Sequence, residues 1–337
     1  MYPFADLELA RRLERAEGLA NARCVEARAR VAPEVGATWI TVAGAMAMFD
    51  GPESPITQTF GLGLFDPVTA ADLARIETFF DAHGAPAHHE VSPIAGPAIL
   101  TLLTERRYQP FEFTSVMYRT IDANALREKV RLKPDATTEE ATSDVGSGSS
   151  RTSTEQAPDV ASESSRTATE QAPYVVSGSS RTSTEQVPYV ASGFSRTSPE
   201  ALTIRTVGEA EGEVWARTAA EGWSETAGAG DFMLTIGRIL AVTGGAHLYL
   251  AELDGRPIAA ATLHMHEGVA LMGGASTIPS ARGRGAQLAL LERRLQDAFA
   301  NGCDIAMMGA LPGSISQRNA ERHGFRIAYT RIKWRQT

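Results

Sequence analysis

The string Arg282-Gly283-Arg284-Gly285-Ala286-Gln287 holds the residue types that could do chemistry in this chain of 337 residues. Each guanidinium is a planar fork of donors that matches phosphate oxygens. Each glycine lets a ligand approach the backbone and reaches left-handed torsions closed to other residues. Apolar residues at helical spacing follow the string, and a strand-like run, Val269 to Thr277, precedes it. A helix that starts there points its first N–H groups, which lack intrahelical partners, back at the glycines. With the positive end of the macrodipole added, the turn is an anion site suited to phosphate oxygens. It is not a nucleoside-triphosphate loop, because no Gly-Lys-Ser/Thr occurs in the chain. A second cluster, His88-His89-Glu90, has ligand residue types, but adjacent strand residues point to opposite faces and cannot converge on one metal. No metal site is expected.

The elements that must position the turn are legible around it. The spacing predicts a strand at Leu202 to Val207, one or two helices over Glu211 to Val242, and strands at His247 to Leu253 and Pro257 to His266 with Asp254-Gly255 as their hairpin turn. The strand Val269 to Thr277 leads through the turn into a helix from about Gly285 to Asn301, with Leu288, Leu291, Leu295 and Phe299 as its apolar stripe. A strand at Asp304 to Met308, a helix near Ser316 to Arg322 and a strand at Arg326 to Trp334 follow. Ahead of these, residues 1 to about 133 read as a second α/β unit. It has a helix from Leu7 to Ala29 and strands at Ala37 to Phe49 and Ser54 to Phe65 joined at Asp50-Gly51-Pro52. A helix from Thr69 to His83 with Thr69 as N-cap, a strand at Ala87 to Val91, a helix from Gly96 to Arg107 and a strand at Phe111 to Arg119 complete it.

Between the two units the chain repeats itself. SRTSTEQAPDVASES, from Ser150 to Ser164, recurs with small changes, so that Arg151, Arg166, Arg181 and Arg196 are spaced by 15. Each copy is Ser, Thr, Glu, Gln and Pro with one or two valines, too little apolar surface to offset ordering entropy. The expectation is a disordered linker over 137–200, between a unit at 1–136 and another at 201–337.

The run Ala275-Ser276-Thr277-Ile278-Pro279, followed by RGRGAQ, resembles the acyl-CoA diphosphate turn of the GCN5-related N-acetyltransferase (GNAT) superfamily, and SQRNAERHGF from Ser316 to Phe325 resembles that family's fourth helix. The 1–136 unit is similar in outline, yet Phe65-Asp66-Pro67-Val68-Thr69 stands in place of the glycine-arginine turn, so it resembles a degenerate copy without a CoA motif. The resemblance implies two GNAT-like α/β domains with a mixed sheet. It implies acetyl-CoA as cosubstrate, held by Ala275, Ser276, Thr277, Arg282, Gly283, Arg284, Gly285, Ala286, Gln287 and Asn319. It further implies direct transfer of the acetyl group to a small-molecule amine in a ternary complex. Base candidates are His264, His266, Glu252 and Glu267, the two histidines sharing one strand face. Acid candidates for the leaving thiolate are Tyr329 and Ser316; Ala320 stands where many members have the tyrosine of that role. The alternative is an acyl-CoA-binding regulatory or scaffolding protein without catalysis.

Composition bounds the rest. The net charge of −8 argues against a nucleic-acid partner, no run of eighteen apolar residues points to a membrane span, and two cysteines, Cys24 and Cys303, form no disulfide framework. Cytoplasmic location is the expectation.

Overall fold

The computed structural model describes residues 4–123, 201–225 and 229–336; the repeat segment lies outside the described residues. Helix α1 (Leu7–Val31) starts where Asp6 accepts the Leu9 N–H at 2.9 Å, runs through Ala, Leu, Glu and Arg, and stops before Pro33. Then come β1 (Thr38–Val42), β2 (Ala45–Phe49), β3 (Gln58–Phe60), α2 (Ala70–Ala82), β4 (His88–Val91), α3 (Pro97–Glu105) and β5 (Tyr108–Thr120). The second half follows as β6 (Leu202–Val207), α4 (Gly212–Glu221), α5 (Ala229–Ala241), β7 (Ala246–Leu253), β8 (Arg256–His266), β9 (Val269–Thr277), α6 (Ala286–Ala300), β10 (Ile305–Ala310), α7 (Ile315–Arg322) and β11 (Arg326–Gln336).

The eleven strands of the described residues join one mixed sheet in the order β1-β2-β3-β4-β11-β5-β10-β9-β8-β7-β6. The halves repeat one plan: β3 runs parallel to β4 across α2, as β9 runs parallel to β10 across α6. Their last strands are exchanged. β11 lies between β4 and β5 of the first half, and β5 lies between β11 and β10. The sheet therefore runs without a break through both halves.

Alternation along the strands assigns the faces. Leu248, Leu250 and Ala260 pack under Trp215 of α4, while Tyr249, Ala261 and Leu263 pack under Leu290 and Leu295 of α6. Leu9 and Leu13 of α1 cover Val116, Val269 and Met307 on the α4 side. Helices α2 and α3 cover Phe49, Val91 and Trp334 on their own face. Among the described residues, no helix is long and apolar enough to cross a membrane.

Three local expectations change. The run Ala37 to Phe49 is two strands, because Ala43 and Gly44 turn the chain at φ 47° and 75°; Ala-Gly is a weaker hairpin signal than the Asp-Gly pair. From Ser54 to Phe65 only Gln58–Phe60 is strand, and the left-handed Gly61 and Gly63 carry the chain round to α2. On α6 the covered face is Ala286, Leu290, Arg294, Leu295 and Ala298, whereas Leu288 and Phe299 are 38% and 43% exposed. The buried Arg294 in that face hid the true stripe. Its guanidinium donates to the carbonyls of Leu290, Thr262 and Gly273, and burial pushes its pKa down to about 10.

Candidate active site at the open strand pair

β9 and β10 pair only from Val269–Ile305 to Leu271–Met307. Beyond that point β10 continues against β5 and β9 continues against β8, so the two strands part and the sheet opens into a V. Between the pairs Ala260–Ser276 and Thr262–Gly273, two residues of β9, Gly274 and Ala275, stand opposite one of β8, Ala261, a bulge made possible by Gly274 at φ 56°. Arg294 clamps this bulge from the α6 face through the carbonyls of Thr262 and Gly273, at 2.9 and 3.2 Å.

At the mouth of the V stands the start of α6. Gly283 and Gly285 have φ 78° and 79°, and a side chain there would meet nothing but the strained torsion itself. The N-cap of α6 is Gly285, no side chain caps it, and its first turn holds no acidic residue. Helix α2, at the matching place, is closed by its own residues: Thr69 Oγ1 accepts from the Asp72 N–H and Asp72 accepts from the Thr69 N–H at 3.0 Å. The hydrogen bonds to Thr69 hold the Asp72 carboxyl below the usual range. The donors at α6 stay available for an anion, and those at α2 do not. Arg282 reaches across to Glu225 at 2.5 Å and to the Gly222 carbonyl. Gln287 Nε2 donates to Thr277 Oγ1 at 2.8 Å, and Ser276 Oγ donates to the Ala219 carbonyl at 2.9 Å. Asn319 is on α7, its carbonyl 2.6 Å from His323 Nδ1, and Ala320 is buried beside Phe325.

On the opposite face of the sheet, at the foot of the V, lies a cavity of about 130 Å³. Gly273, Gly274 and Gly309 form its edge at the V, α5 and β8 form one wall, and α1 with β3 of the first half forms the other. His264 is on this wall, 6% exposed, with Nδ1 unpartnered. Burial, then Arg23 and His247 nearby, lower its pKa to about 4, so the imidazole is neutral near pH 7.

The other residues read from sequence as base or acid lie elsewhere. Glu252 pairs with Arg205 at 2.9 Å on the β6–β7 side, and His266 sits at the end of β8 beside Glu267, 3.6 Å away. Ser316 is buried in α7, and the Tyr329 hydroxyl donates to Glu14 at 2.9 Å. His88 and His89 are held neutral by burial, at about 4 and about 3.

Behind the cavity lies a charged cluster that links the halves. Arg331 of β11, 1% exposed, contacts Glu14 at 3.3 Å, Glu17 at 2.7 Å and Glu90 at 3.1 Å. Its signal in the sequence is Glu14, a carboxylate among the apolar positions Leu9, Ala10, Leu13 and Ala16 of α1. Burial raises the Glu14 pKa to about 7, against the pull of Arg331. An acid whose folded pKa is raised contributes stability fully below its unfolded value and loses it as pH climbs through the folded one. We expect Glu14→Gln to flatten the fall in melting temperature between pH 4.5 and about pH 7, the interval these values span. An unchanged fall would remove Glu14 from that role.

The fold is similar to that of a GCN5-related N-acetyltransferase from Kribbella flavida at 15% identity and TM-score 0.51, covering 94% of this chain and 95% of that one. A tandem GNAT protein from the clavulanic acid biosynthesis pathway shares 13% identity over 86% of this chain and 72% of that one, at TM-score 0.43. The aminoglycoside N-acetyltransferase AAC(6')-Iy in complex with CoA shares 22% over 38% and 89%, at TM-score 0.32. No curated protein matches the chain. Residues 185–313 match the model of the acetyltransferase (GNAT) domain.

Proposed function

We propose that the protein is an acyl-CoA-dependent N-acetyltransferase that moves the acetyl group of acetyl-CoA directly to an amine of a small molecule. The single observation that carries this reading is the uncapped N-terminus of α6 at the mouth of the V between β9 and β10. The diphosphate is held there by the N–H groups at Gly285, Ala286 and Gln287 and by Arg282 and Arg284. The thioester reaches the bulge at Gly274 and Ala275. The amine approaches from the cavity on the other face.

In the reaction the amine nitrogen attacks the thioester carbonyl, a C–N bond forms, and the tetrahedral intermediate carries an oxyanion. Backbone N–H groups of the bulge stabilise it, with the buried Arg294 guanidinium fixing the bulge from behind. The lone pair for that attack is freed when neutral His264 takes a proton from the bound ammonium at Nδ1. The C–S bond breaks, the nitrogen, acidic once bonded to carbon, gives its proton to the leaving thiolate, and CoA departs as a thiol.

Calorimetric titration with acetyl-CoA, followed by thiol release across a panel of small amines, tests the reading. Saturable binding and amine-dependent release of free CoA are expected. Absence of acetyl-CoA binding at millimolar concentration overturns it, and binding without release on any amine favours the non-catalytic CoA-binding alternative, for which buried Ala320 is the motivating residue.

A further inference from the structure

The cavity at the foot of the V is built by both halves, and its lining is one-sided in chemistry. Its polar wall is Glu17, Asn21, Gln58, Thr114, Thr262 and His264, all able to accept a hydrogen bond. The cation that touches it, Arg331, is already engaged by Glu14, Glu17 and Glu90. Counting Glu112 and Lys333, which feel Glu90, and Arg23, which faces His264, the surroundings hold the carboxylates of Glu17, Glu90 and Glu112, a Glu14 raised toward neutrality, and three cations. His264 presents a second, independent pointer to a donor-bearing ligand, because its buried Nδ1 has no partner. The remaining wall is apolar: Ile56, Phe60, Ile236, Leu240 and Leu271.

We infer that the acceptor is a primary ammonium on a compact apolar body, and that the carboxylate of Glu17, from the first half of the chain, anchors it. This deepens the transferase reading and rests on it for the word acceptor, while the ammonium site stands or falls separately. An ammonium supplies donors that match both the Glu17 carboxylate and the unpartnered His264 Nδ1. A carboxylate on the same body offers no donor and is repelled by Glu17, and a hydroxyl offers one donor where Glu17 and His264 Nδ1 call for two. The first half of the chain, whose α2 turn is closed to an anion, thereby selects the amine for the CoA turn of the second half.

Benzylamine, benzyl alcohol and benzoate distinguish these chemistries when titrated into the full-length protein with and without acetyl-CoA. Benzylamine alone is expected to bind. Glu17→Gln is expected to weaken benzylamine binding at least ~10-fold, as loss of one charge-assisted contact does. Acetyl-CoA affinity is expected to stay within about twofold. Because Glu17 also pairs with Arg331, a second variant leaves the cluster intact: Ala20→Phe fills the cavity from α1 and is expected to abolish benzylamine binding with acetyl-CoA binding retained. Equal binding of the three probes, no benzylamine binding by the wild type, or full benzylamine affinity in Ala20→Phe overturns the inference. Loss of acetyl-CoA binding in the wild type instead strikes the transferase reading and leaves the ammonium site standing.

Discussion

Replacing Leu288 with aspartate is expected to raise the melting temperature slightly and to weaken acetyl-CoA binding on the order of 30-fold. Leu288 is the third helical residue of α6, as Asp72 is of α2, where the carboxylate reaches back to the N–H of Thr69. It is 38% exposed, so the change opens no core. An aspartate there complements the macrodipole, a gain of about 0.3–1 kcal/mol. The same charge repels a diphosphate. A single charge about 5 Å from two phosphate charges costs roughly 1.5–2 kcal/mol at the dielectric of water, or about 10- to 30-fold in affinity before any donor is blocked. Thermal melting and acetyl-CoA titration of one variant give both signs. Unchanged affinity would show that the ligand is held elsewhere, and a lower melting point would show that the donors at α6 are already occupied.

Arg331→Leu is expected to be the most destabilising single substitution considered. It leaves Glu14, Glu17 and Glu90 in place around a buried apolar side chain. Removing one partner from a buried ionic network costs about 3–5 kcal/mol, because uncompensated charge remains out of water. For a chain of this size that corresponds to a fall in melting temperature of roughly 10 °C. Removing the orphaned charges as well, with Glu14→Gln and Glu90→Gln added, is expected to restore most of the loss, since apolar replacement of a whole buried network is often neutral. A melting point of the single variant within a degree of wild type would show that the cluster does not hold β11 against α1.

The strand, turn and helix of the proposed diphosphate site were each announced by short-range signals. The strand Val269–Thr277, the turn with two left-handed glycines, and the amphipathic helix after it follow from side-chain alternation, from glycine torsions and from helical spacing. Thr69 and Asp72 likewise announced a capped α2, hence the contrast between the two turns. Where such signals were ambiguous the reading slipped: Ala43-Gly44 is a poor turn pair, and Arg294 interrupted the apolar face of α6.

Composition and spacing over a few residues thus determined the α/β elements of both halves and the glycine turn proposed as the anion site of the second. Tertiary structure decided that the units trade their last strands, that α1 of the first unit walls the cavity of the second, and that His264 rather than His266 or Glu252 stands on that wall. The physical reason is range. Torsional and capping preferences act within a turn of helix or a strand, whereas the bond from Tyr329 to Glu14 joins residues 315 apart and forms only when the whole sheet has closed.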